Sequence, residues 1–63
     1  MNILEMQDIL ESLVPLCMDQ VLDEIMPEEL IAMFEIETGI CNNDKAKQIA
    51  YELAADYALY GKF

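Results

Sequence analysis

The chain has 63 residues, and its 13 aspartates and glutamates against three lysines give a net charge of −10 at pH 7, with no histidine. A chain of this charge has no basic patch, so direct binding to DNA, RNA or an anionic membrane is not expected. Its length suits one domain, which we predict to span residues 1–63.

Apolar residues make up 56% of the chain, above the roughly 45–50% of ordinary domains. A monomer of this size hides only about 60% of the surface that its unfolded chain exposes. The excess of apolar residues therefore predicts self-association or a partner surface. The longest uncharged stretch, residues 12–18, is far shorter than the ~18–20 residues of a membrane span. We therefore expect a cytoplasmic protein that does not bind membranes.

The first predicted helix begins after Asn2, which can cap it together with Glu5 as a variant capping box. Pro15 should end or kink this helix near Leu13, because proline lacks a donor and clashes with the preceding turn. Apolar residues return at helical spacing from Leu16 to Met26, which predicts a second helix.

A third helix is predicted from Pro27 to Thr38, since proline and two glutamates favour a helix start. Gly39 should end it. Asn42, Asn43 and Asp44 supply the next cap, and the last helix should end at Gly61. Its inward stripe is predicted to contain Ala46, Ile49, Ala50, Leu53, Ala54, Tyr57 and Ala58.

These elements predict an all-α fold, a small helical hairpin or bundle of three to four short helices completed by dimerisation. The apolar coverage of the first 26 residues is broader than one helix face requires. We predict a homodimer interface there, formed by Met6, Ile9, Leu10, Leu13, Cys17 and Val21. A four-helix dimer that also uses the last helix fits the same pattern.

Catalysis is not expected, since a chain this short rarely closes a pocket around paired acids. No cofactor or metal ion is expected either. Cys17 and Cys41 are interpreted as reduced, buried hydrophobic residues rather than a disulfide. A zinc site with two cysteines would have to form across subunits. No segment has the ligand spacing of a calcium loop.

Two groups of side chains are candidates for binding a protein partner. Glu5, Asp8 and Glu11 lie three residues apart on the first helix and form an acidic ridge. This ridge either mimics nucleic-acid phosphates or only keeps the chain soluble. Tyr51, Tyr60 and Phe63 form the second group, an aromatic edge, because tyrosine is enriched at binding hot spots. Rim packing over the alanines is the alternative role of the tyrosines.

The whole profile of size, charge and helix content resembles the small acidic helical proteins of temperate lambdoid bacteriophage early regions. The resemblance implies a non-enzymatic protein that binds a host or phage protein in the host cytoplasm, and it transfers no functional residue. We therefore predict a small interaction or regulatory protein. The alternative is a nucleic-acid mimic that inhibits a DNA-binding protein.

Overall fold

Three α-helices dominate the structure, a computed structural model that describes residues 1–19, 21 and 24–61. Helix α1 spans Ile3–Leu13, α2 spans Pro27–Thr38 and α3 spans Asp44–Tyr60. Each helix packs against the other two. The described residues contain almost no strand, so the predicted all-α class is confirmed.

The predicted second helix, Leu16 to Met26, is wrong for the residues that the structure describes. A single 3-10 turn, Val14–Leu16, follows α1 and contains Pro15. Two short antiparallel strands come next, β1 (Met18–Asp19) and β2 (Glu24–Ile25), with Met18 opposite Ile25. The backbone N–H of Met26 donates to the carbonyl of Cys17 at 3.1 Å and closes the base of this hairpin.

The error has a definite cause in the spacing of apolar residues. Cys17, Val21 and Ile25 are four residues apart, which is typical of a helix face. In the hairpin, Cys17 and Ile25 are buried on its two arms, whereas Val21 lies between the strands and is 93% exposed. Residues at this spacing, Cys17 and Ile25, thus both reach the core although they are not on a helix.

The helix ends follow the predicted capping residues. The Asn2 side-chain oxygen accepts from the Glu5 N–H at 2.8 Å, and Asn43 accepts from the Ala46 N–H at 3.1 Å. Gly39 and Gly61 end α2 and α3 in the left-handed region, with φ of 74° and 70°. Glycine adopts this conformation without the penalty that a Cβ atom brings.

The core lies where the three helices meet, and β2 packs against α3 at its edge. Phe34 and Leu30 of α2 are fully buried there, and Ala46 and Ala50 of α3 are buried in the same core. The radius of gyration is 10.8 Å, close to the roughly 10.6 Å expected for a compact monomer of this length. The buried residues are Met6, Leu10, Leu13, Val14, Cys17, Ile25, Leu30, Phe34, Ala46, Ala50 and Leu53. One chain therefore closes this core without a second copy.

Candidate interaction surfaces

The predicted dimer interface on α1 needs a correction, because most of its residues lie inside the chain's own core. Met6, Leu10, Leu13 and Cys17 are buried there. Ile9 is half-buried and packs against the same core. A second copy cannot reach these side chains unless α1 detaches. Helices α2 and α3 cover this apolar stripe of α1. An apolar face can pack against its own chain as well as against a second copy.

The outward side of α1 presents acids and one large apolar side chain. We call Leu4, Glu5, Asp8 and Glu11 the acidic face. Leu4 is 72% exposed and lies one turn from Asp8. Glu5 accepts a hydrogen bond from the Asn2 amide at 3.5 Å, and Glu11 accepts one from Gln7 at 3.4 Å. Two of the three predicted acids therefore also support the helix locally.

The predicted aromatic edge does not form one patch. Tyr51 and Tyr60 are nine residues apart on α3, which turns their side chains roughly 180° from each other and separates them by ~13 Å along the axis. Both are exposed, by 51% and 71%. They therefore point to opposite sides of the helix. The third member, Phe63, lies outside the described residues.

An exposed apolar stripe does exist on α3, but it contains different residues. Tyr51, Ala55 and Leu59 follow one another at four-residue intervals, with Ala58 beside them, and all four are exposed. We call this set the α3 outer face. Ala58 was predicted to be in the core, and the structure places it outside because α3 turns its Ala46, Ala50 and Leu53 side inward.

Sequence reasoning missed Ala55 and Leu59, although a signal was present. Residues 53–60 read LAADYALY, with Asp56 as the one charged residue. A helix segment that is apolar nearly all round is normally covered on more than one side. In this structure one side is covered by the core and the other is open.

The two cysteines differ in environment, and the expectation that both are buried is wrong for Cys41. Cys17 is buried and Cys41 is exposed, and both are free thiols. Burial raises the pKa of the Cys17 thiol, and the negative charge of Glu29 raises it further. Cys17 therefore stays a neutral thiol in the core, where it packs as a small apolar side chain.

The described residues hold no cluster of three or more cysteine or acidic side chains placed to hold a metal ion. Their buried set contains no polar or charged side chain. None of the three helices is long and apolar enough to cross a bilayer. Comparison with protein-family models, curated proteins and solved structures finds no match to this chain.

Proposed function

We propose that this chain is a non-enzymatic interaction protein that regulates a protein partner through its exposed helix faces. The observation that carries the proposal is a closed core beside large apolar side chains left in water. Leu4 on α1 and Tyr60 on α3 are each more than 70% exposed. Such side chains favour a partner surface, since covering them removes apolar area from water.

The acidic face of α1 combines two properties that suit binding to a basic protein surface. Leu4 offers apolar contact, and Glu5, Asp8 and Glu11 surround it with negative charge. Apolar anchors usually supply most of the affinity, whereas rim charges mainly raise the association rate. Tyr60, on the side of α3 opposite to Tyr51, is a second candidate anchor.

A nucleic-acid mimic is the second candidate function, and one observation favours it. Helices α1 and α2 contain acidic side chains and no lysine: Glu5, Asp8, Glu11, Glu28, Glu29, Glu35 and Glu37. A partner that binds these acids as it binds phosphates would lose affinity steeply as salt rises. A partner held by Leu4 and Tyr60 would lose much less.

The site of action proposed with this function is the cytoplasm of a bacterial host, as the resemblance to phage early proteins implies. The test is capture of cross-linked partners from bacterial lysate with the tagged chain, at about 0.05 M and about 0.5 M NaCl. Binding of the recovered partner is then measured with variants. Recovery of no partner at either salt concentration would contradict the proposal.

Three variants distinguish an interaction protein held by apolar anchors from a nucleic-acid mimic. We expect Leu4→Ala or Tyr60→Ala to weaken binding at least tenfold, at the scale of a hot-spot residue. The triple variant Glu5→Gln/Asp8→Asn/Glu11→Gln should mainly slow association. Ile36→Ala, on the exposed side of α2, is the matched control. If the triple variant abolishes binding and both apolar variants bind normally, the mimic replaces our proposal.

A further inference from the structure

On the α3 outer face a small side chain lies between two large ones, an order that the acidic face lacks. Tyr51, Ala55 and Leu59 lie along about 12 Å of helix, with a small residue between two large ones. All three are exposed, and none belongs to the core. A stripe of this kind can be laid antiparallel on a copy of itself so that each large side chain meets the other, as a two-fold symmetric contact requires.

We propose that the α3 outer face pairs with the same face of a second copy, antiparallel, about a two-fold axis at Ala55. In this register Tyr51 lies opposite Leu59 of the second copy, and Ala55 lies opposite Ala55. Small residues at the centre let two helix axes approach to the near end of the usual 8–10 Å range. The large side chains at both ends then cover the alanines.

The distribution of charge supports a second copy as the occupant. Two chains of net charge −10 repel each other, so they should meet where carboxylates are fewest. Between Tyr51 and Leu59 the stripe itself contains no ionised side chain. Glu52 lies beside the stripe, but α3 as a whole has three acids and two lysines and so a net charge of −1, against −3 for α1 and −4 for α2. A basic partner would instead bind the acidic face of α1 and Tyr60, which lies on the side of α3 opposite to Tyr51, so the two interactions use different surfaces.

The contact should be weak and salt-dependent. One helix pair buries less than the roughly 1,200–2,000 Å² of a standard stable interface. We therefore expect dissociation in the micromolar range. Salt should tighten the dimer several-fold, because it screens the repulsion between the two acidic bodies. This response is opposite to that expected for binding a basic partner. The inference does not depend on the proposed function.

Sedimentation equilibrium between about 5 and 500 μM, at low and high NaCl, tests the proposal with the full chain. Ala55→Glu and Leu59→Glu each place a charge in the contact and should weaken the dimer at least tenfold. Ile36→Glu is the matched control, since Ile36 on α2 and Leu59 on α3 are 78% and 74% exposed. Circular dichroism checks the fold of each variant. Should Leu59→Glu unfold, Ala55→Glu decides the result.

The register is tested by an engineered disulfide. In a Cys41→Ser background, Ala55→Cys should form a symmetric cross-link under mild oxidation, because Ala55 lies on the proposed two-fold axis. Ile36→Cys in the same background should not, because Ile36 lies on α2, away from the proposed contact. A chain that is monomeric throughout, or a dimer that tolerates Ala55→Glu, would overturn the proposal. A monomer that loses its partner with Ala55→Glu would assign this face to that partner.

Discussion

Asn42 and Asn43 are adjacent in sequence and have different structural roles. Asn42 adopts a positive φ of 56°, and its N–H donates to the Glu35 carboxylate at 3.1 Å. Asn43 has extended backbone, and its side chain caps α3 through the Ala46 N–H. Asparagine suits both positions, since it tolerates the left-handed region and accepts from a helix N-terminus.

Removing the cap of α3 should cost measurable stability. We expect Asn43→Ala to lower the free energy of unfolding by about 1 kcal/mol, because the N–H of Ala46 loses its acceptor. Asn43→Asp keeps a side-chain oxygen at the same place and should be nearly neutral. Urea unfolding followed by circular dichroism measures both variants. Equal losses for the two would show that the cap has no role.

The environments of the thiols predict selective modification. An aromatic disulfide reagent should react quickly with Cys41 and slowly with Cys17 in the folded chain, because it attacks an accessible thiolate. Both should react in denaturant, and Cys41→Ser should remove the fast phase. Because folding raises the pKa of the Cys17 thiol, this group adds to the free energy of unfolding at pH values below the ordinary thiol pKa. The contribution is lost as pH rises through the raised pKa. Fast reaction of two thiols in the native chain would contradict the burial of Cys17.

At the scale of elements, α2 shows how one helix divides its apolar residues between core and solvent. Phe34 is fully buried, and Ile36, two positions later, is exposed on the far side. Two residues correspond to a turn of about 200° around the helix axis. Both are large and apolar, so composition alone does not separate them, whereas their position on the helix does.

These two positions make a matched pair for mutation. Phe34→Ala should cost about 3–5 kcal/mol through lost burial and a cavity. A 63-residue domain has roughly 3–9 kcal/mol of stability in total, so this variant should lose a large share of its stability and melt at a much lower temperature. Ile36→Ala should change stability by less than about 0.5 kcal/mol. Thermal melts by circular dichroism compare them, and a Phe34→Ala variant that melts as high as Ile36→Ala would place the core elsewhere.

At the scale of the whole molecule, charge works against compactness. All three lysines occur at or after Lys45, so residues 1–44 contain acids without a basic side chain. Bringing these acids together on a body of 30 × 18 × 16 Å raises their mutual repulsion. Apolar burial by the three helices has to exceed this cost for the chain to fold.

Salt should therefore stabilise the folded chain. Raising NaCl from about 0.05 to 0.5 M should increase the free energy of unfolding by roughly 1 kcal/mol, since it screens repulsion that is stronger in the compact state. A variant with three exposed acids neutralised, Asp8→Asn/Glu28→Gln/Glu37→Gln, has net charge −10 + 3 = −7 and should respond less. Urea unfolding midpoints of both chains are compared at the two salt concentrations. The protein is kept at a concentration low enough to be monomeric. A fall in stability with salt would show that favourable carboxylate contacts dominate.

The helix ends can be predicted from the residues next to them. Asn2, Pro27, Gly39, Asn43 and Gly61 mark starts and stops that the structure reproduces. Caps are local, because each satisfies backbone groups within four residues. The nine-residue spacing of Tyr51 and Tyr60 also places them on opposite sides of a helix. The prediction of one aromatic edge did not take this spacing into account.

Which surface covers an apolar helix face becomes clear only from the packing of the three helices. The stripe of Met6, Leu10 and Leu13 suits a second copy or the same chain equally well, and α2 and α3 cover it. Likewise, Cys17 and Ile25 fit a helix by spacing, yet a hairpin buries both of them. Burial of apolar area is non-directional, so the spacing of residues does not specify its partner.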